Sequence, residues 1–165
     1  MSILASDSIF ILGIDPGSQT TGYGLIKKQG YKTFYVASGC IRIGKYPWPE
    51  RLKHLFLAVN EIIAEYKPAM AAIEQVFVGK NVASTLKLGQ ARGAALVAMA
   101  CADLCVAEYS ARAVKKAVVG YGAADKQQVQ QMIKALLNLN GLPPIDAADA
   151  LAIALCHAQT AGLRL

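Results

Sequence analysis

A chain of 165 residues, 55% hydrophobic and 17% charged, can bury one sizeable core and is too apolar to stay disordered. Its most apolar long stretch, residues 91–104, contains Arg92 and Asp103 and is too short to cross a bilayer; the opening MSILASDS lacks the basic start and apolar run of a secretory signal. The net charge is +6, and residues 76–145 hold eight basic side chains against three acids, which suits a polyanionic partner or, equally, a well-solvated surface.

In chain order, residues 1–8 read as a flexible leader and 9–165 as a single domain. Residues 9–15 form a buried strand that ends in Asp15. Pro16 and Gly17 turn the chain into a second strand over 22–28, and Gly30 turns it into a third over 33–43. Such short links make an antiparallel meander. Pro49 suits the first turn of a helix reaching Tyr66, with Leu52, Leu55, Phe56, Val59, Ile62 and Ile63 on one face, and Lys67-Pro68 ends it. Residues 69–74 are a short strand ending in Glu74. A long helix starts at Asn81 or Ala83 and runs to 102, and 105–109 is a fifth strand. Ser110 can cap a helix over 111–119; further helices follow over 125–137 and from 146 to about 161. The pattern is α/β, a mixed sheet with helices on both faces.

The four cysteines, Cys40, Cys101, Cys105 and Cys156, match no zinc spacing and read as buried, reduced thiols of a cytoplasmic protein. His54 reads as structural. His157 lies three turns from Asp146, roughly 16 Å along the last helix, which favours a packing or surface role over metal ligation.

Four acids stand where strongly apolar segments meet loops: Asp15, Glu74, Asp146 and Asp149. The i, i+3 spacing of the last two puts them on one helical face. Each has an ordinary alternative: an Asx turn for Asp15, a surface ion pair for Glu74, helix capping for the two aspartates. Taken together, they can share one pocket at the ends of strands in a mixed sheet. Clustered carboxylates repel and lose water on burial, and a divalent cation such as Mg²⁺ or Mn²⁺ relieves both penalties. With lysines to hold phosphates, this combination points to a metal-dependent nuclease.

The blocks GIDPGSQTTGYGLI, IEQVF, KLGQARG and DAADALAIA, in this order, strongly resemble the RuvC-type Holliday-junction resolvases, crossover-junction endonucleases of bacterial recombinational repair. The resemblance implies a ribonuclease H-like fold with a five-stranded mixed sheet, three strands of it antiparallel. It implies that Asp15, Glu74, Asp146 and Asp149 are catalytic, metal-holding acids for Mg²⁺ or Mn²⁺. It also implies a homodimer that nicks four-way junction DNA symmetrically, leaves 5′-phosphates, and works with the branch-migration complex of RuvA and RuvB. Phe77 then matches an aromatic that stacks on a base, and Lys80 a basic residue of the same loop. Lys115 and Lys126 match lysines near the active site; Lys87, Arg112, Lys116 and Arg92 are weaker DNA-contact candidates. Arg92 alternatively belongs to a dimer face with Gly89, Gly93, Ala94 and Ala95. The short tail carries Arg164 alone as a basic residue.

DPGSQTTGYG also resembles the phosphate-gripping hairpin of actin-like sugar kinases and chaperone ATPases, in which the glycines would admit phosphates to backbone N–H groups. A second such domain, which those proteins need, is not evident. A junction-binding protein without catalytic activity is the remaining alternative, and the intact acids argue against it.

Overall fold

The structure, a computed structural model, describes residues 8–161. Residues 1–7 of the expected leader, and Arg164, lie outside them; Ser8 belongs to the first strand. Five strands, β1 (Ser8–Asp15), β2 (Thr20–Gln29), β3 (Lys32–Arg42), β4 (Met70–Glu74) and β5 (Cys105–Tyr109), form one sheet in the order β3-β2-β1-β4-β5. The first three pair antiparallel; β4 joins β1 and β5 joins β4 in parallel. Five helices complete the described chain: α1 (Trp48–Tyr66), α2 (Val82–Cys101), α3 (Ala111–Val119), α4 (Lys126–Leu136) and α5 (Ile145–Thr160).

Helix ends fall at the local signals. Asn81 accepts from the N–H of Ser84 (3.0 Å) and Ser110 from that of Ala113 (3.1 Å). Asp125 and Gln128 form a reciprocal capping box that starts α4. Lys67 closes α1 in the left-handed region at φ 47°, directly before Pro68. The second strand begins earlier than the hydrophobic pattern suggests, at Thr20, because the polar residues before Gly22 continue the ladder against Arg42 and Ile41.

Period-2 alternation divides the core in two. Leu12 and Ile14 of β1 with Ala71 and Ile73 of β4 face α1 and α2, where Leu55, Val59, Ile62, Ala95 and Met99 are buried. Ile11 and Ala72 face the other way, onto α3, α4 and α5. Asp15 and Glu74 share the parity of Ile11 and Ala72, so both carboxylates emerge on the α5 side.

Helix α5 crosses that side at backbone distance. A Cβ on Gly13 would lie 2.1 Å from the carbonyl oxygen of Ala150, and one on Gly22 would lie 1.9 Å from that of Asp146. Only glycine fits beneath the helix at these points. The alanines of α5, among them Ala147, Ala150 and Ala154, are buried by the same contact.

The cysteines correct one expectation. All four are free, but Cys101 and Cys105 are exposed and only Cys156 is buried, because the first two fall at the solvent end of α2 and on the outermost strand. His54 stacks on Tyr46 with ring centroids 3.8 Å apart. His157 is buried, with its Nδ1 2.8 Å from the Tyr109 hydroxyl. No helix among the described residues is long and apolar enough to cross a membrane.

Candidate active site

Ile14 of β1 pairs with Ile73 of β4 in parallel register. One residue further, Asp15 and Glu74 leave the sheet side by side at the carboxyl ends of their strands, where open α/β sheets place their sites. Asp149, one turn into α5, faces them. Asp15, Glu74 and Asp149 line one cavity of about 170 Å³ together with Lys115 of α3 and Lys126 of α4. Val114, Val129 and Ile153 supply an apolar floor.

The ordinary explanations for these acids find no support in the contacts. Helix α5 begins after Pro144 with no side-chain cap, so neither Asp146 nor Asp149 caps it. The turn after Asp15 is organised by Thr21, whose hydroxyl accepts from the N–H of Gly17 (3.2 Å) and is itself fully buried. Among the described residues, Glu74 has no ion-pair partner; the salt bridge in the pocket joins Lys126 Nζ to Asp149 Oδ2 at 3.7 Å.

Burial pushes Asp15 up to about 8 from an ordinary 3.8, reinforced by the charges of Glu74, Asp149 and Asp146 and by a carboxyl–carboxyl hydrogen bond to Glu74. Burial likewise raises Asp149 to about 6; Lys126 opposes the rise, while Glu74 and Asp146 add to it. Asp146 is half-buried and stands beside the cavity, outside its lining, where its charge also raises the Cys40 thiol after burial has done so. Among the described residues no three acids close on one point as a finished ligand set. Asp15 and Glu74 meet each other, and Asp149 is drawn towards Lys126.

The remaining candidates fall into distinct places. Phe77 is 67% exposed in the loop 75–81 and so is not a core residue; Lys80 is exposed in the same loop. Lys87 lies over the Trp48 ring, 5.5 Å from its centroid. Lys116 and Arg112 are exposed on α3, and the Arg112 stem packs where a Cβ on Gly122 would fall. Arg92 has a role the sequence did not suggest: its guanidinium is engaged within the chain by the Glu74 carbonyl and, at the exposed side, by the Glu108 carboxylate. Ala95 is buried and Ala94 packs on the α1–α2 core, so only Gly89 and Gly93 of the expected small-residue face lie open.

Residue chemistry alone did not reveal the backbone fasteners. Arg51 of α1 donates to the carbonyls of Tyr46 (2.8 Å), Ser18 (3.1 Å) and Gly44 (2.6 Å), tying the turn after Asp15 to the loop after β3. The period-2 spacing of Gly22 and Gly24 was the available signal for the close seat of α5.

The sheet order, with acids at two neighbouring parallel strand ends and a third on the helix across them, defines a protein of ribonuclease H-like fold. Residues 11–157 match the family described as crossover junction endodeoxyribonuclease RuvC. The chain is 57% identical over 150 residues to the RuvC of Photobacterium profundum, covering 91% of this chain and 87% of that protein. It is 60% identical over 149 residues to that of Marinobacter nauticus, covering 90% and 85%. The structure of T. thermophilus RuvC in complex with Holliday junction substrate superposes with a TM-score of 0.84 at 34% identity, covering 91% of this chain and 93% of that one. The chain belongs to the RuvC family.

Proposed function

We propose that the protein is a structure-specific endonuclease that resolves four-way (Holliday) DNA junctions by paired, symmetric nicks, leaving 5′-phosphates. One observation carries this reading: Asp15, Glu74 and Asp149, delivered by three separate elements, line one cavity with Lys115 and Lys126. The acidic donors are all carboxylate oxygens, with no His or Cys in the lining, a set that fits Mg²⁺, with Mn²⁺ able to replace it. The raised Asp15 and Asp149 agree, since buried carboxylates set close to one another hold their charge more readily with a cation between them. Asp15, Glu74 and Asp149 would hold the ions, with Asp146 contributing from beside them. Two divalent cations held there would supply Lewis acidity for phosphodiester hydrolysis.

The chain's own residues orient the substrate. Lys115 and Lys126 line the cavity, where their ammonium groups can grip the scissile phosphate and offset charge gained in the transition state. Phe77 offers an unburied ring for stacking on an unpaired base near the junction centre. Lys80, Lys87, Arg112 and Lys116 supply positive charge along the strand backbones.

The proposal includes a homodimer. Val82, Leu86, Gly89, Gly93 and Val97 recur at helical spacing on α2; the three larger side chains are more than half exposed, and nothing lies within 4 Å of where a Cβ on either glycine would be. Partnership with RuvA and RuvB and a bacterial cytoplasmic setting at the nucleoid rest on the family resemblance; a single nuclease domain over 9–165 rests on the chain length and the lack of a long linker.

The test is incubation of purified protein with a synthetic four-way junction and Mg²⁺. Paired nicks at symmetric positions, lost in Asp15→Asn while junction binding persists, support the reading. Binding without cleavage in either Mg²⁺ or Mn²⁺ turns the protein into a junction binder.

A further inference from the structure

The end of β4 is fastened from outside the cavity. Arg92 projects from α2 with its side chain 16% exposed. Its Nε–H donates to the carbonyl oxygen of Glu74 at 2.9 Å, and its Nη2 pairs with the Glu108 carboxylate. Glu108 stands opposite Ile73 in the β4–β5 ladder, and the N–H of Gln75 donates to the Tyr109 carbonyl at 2.8 Å. The one peptide unit that follows the Glu74 Cα is therefore held at both its polar groups, the carbonyl by the guanidinium and the N–H by β5. Beyond Gln75 this support stops. Residues 75–81 have no regular structure, and Phe77 and Val78 are 67% and 83% exposed.

We propose that Arg92, balanced by Glu108, is a positioning residue for Glu74: it isolates the acid from movement of the 75–81 loop and keeps the carboxylate directed at Asp15. This rests on the metal-nuclease reading of the cavity. A planar guanidinium suits the task, because it presents two donors in fixed relative directions and joins a backbone carbonyl to a carboxylate. Lysine keeps the charge but has no such fork. The loop must adapt to DNA while the acid beside it must not move, since displacement of a ligand by about 1 Å is enough to impair a site.

The experiment measures Mn²⁺ uptake without DNA, by the electron paramagnetic resonance of the free ion, in wild type, Arg92→Gln, Arg92→Lys and Glu108→Gln. Thermal melting and junction binding are recorded alongside. Arg92→Gln is expected to lower Mn²⁺ affinity about tenfold, in line with other outer-shell substitutions, and to raise the Mg²⁺ needed for half-maximal cleavage by the same factor. Junction affinity should stay within about twofold of wild type, because the Arg92 donors are already taken by the Glu74 carbonyl and Glu108. Arg92→Lys should recover more of the melting temperature than of the Mn²⁺ affinity. Glu108→Gln keeps an oxygen acceptor, folds in any event from its exposed position, and should cost about twofold in affinity. A lower melting temperature with unchanged Mn²⁺ affinity in the Arg92 variants makes the residue merely structural and overturns the proposal. Failure of wild type to take up Mn²⁺ defeats the metal reading itself, and the clamp with it; uptake by wild type and equal uptake by Arg92→Gln defeats the clamp alone.

Discussion

The two faces of the sheet are built on different rules. On one, α1 and α2 stand off on branched side chains, Leu12, Ile14, Leu55, Val59 and Ile62, which fill space and can be exchanged for others of similar volume. On the other, α5 lies directly on strand backbone at Gly13 and Gly22, with no side chain between to absorb an error. The acids belong to the second face. A helix seated on glycine has one height and one phase, so Asp146 and Asp149 reach the strand ends without relying on the rotamers of intervening residues. The first face contributes stability, and the second contributes position.

The sharpest break in this comparison is at Asp15. Asp15→Asn should reduce junction cleavage by on the order of a thousandfold or more. The same change should raise the melting temperature in chelator at pH 8, by about 5 °C or more. The sign follows from a folded-state value of about 8 against an ordinary 3.8. The favourable protonated form is fully present below 3.8 and is lost as pH rises through 8, so wild type loses stability over that window and the amide does not. A scan that finds the variant less stable at pH 8 than wild type contradicts the buried-charge account.

Gly22→Ala attacks the seating of α5. With its Cβ 1.9 Å from the Asp146 carbonyl, the helix must lift, and cleavage should fall about a hundredfold. Leu55→Ala on the opposite face should cost about 3 kcal/mol in unfolding free energy yet leave cleavage at 25 °C within about twofold. Similar activity losses in the two variants, measured at equal folded fraction, would erase the distinction between the faces.

Within the second face, Lys126→Ala should lower the cleavage rate by about tenfold to a hundredfold. Lys116→Ala, exposed and outside the cavity lining, should change it by about twofold or less and flatten the salt dependence of junction binding instead. Single-turnover rates with saturating junction separate these effects.

The smallest effect is at His157, far along α5 from the acids. Burial, helped by Lys28, holds its pKa below the ordinary 6.5. Its stabilising contribution is therefore present above about 6.5 and is lost as pH falls towards the folded-state value. His157→Phe should flatten that acid limb of a melting-temperature profile, on top of a pH-independent lowering from the lost Tyr109 hydrogen bond. An acid limb identical to wild type would assign the loss to other groups.

Local signals located most elements within a residue or two, because caps and breakers are written in the chain itself: Asn81, Ser110, Asp125 and the Lys67-Pro68 stop each act on their own neighbours. The acids were legible as well, as charges at the ends of apolar runs. Arg92 was not, since a lone arginine in an apolar helix reads the same whether it faces DNA, a second subunit or a buried carbonyl. The exposed Cys101 and Cys105 were misread because thiols are buried on average, and only the packing of the outermost strand decides the particular case.

Sequence by itself determined the order of elements, the parity that sends Asp15 and Glu74 to the same face, and the family to which the chain belongs. The tertiary structure decided that Asp149 enters the cavity while Asp146 stands beside it, that Lys115 and Lys126 approach from separate helices, and that Arg92 holds the Glu74 backbone. Periodicity and capping act over a few residues and are recorded locally. Contact between side chains dozens of residues apart depends on how closely one helix settles onto the sheet, and that distance exists only once the chain has packed.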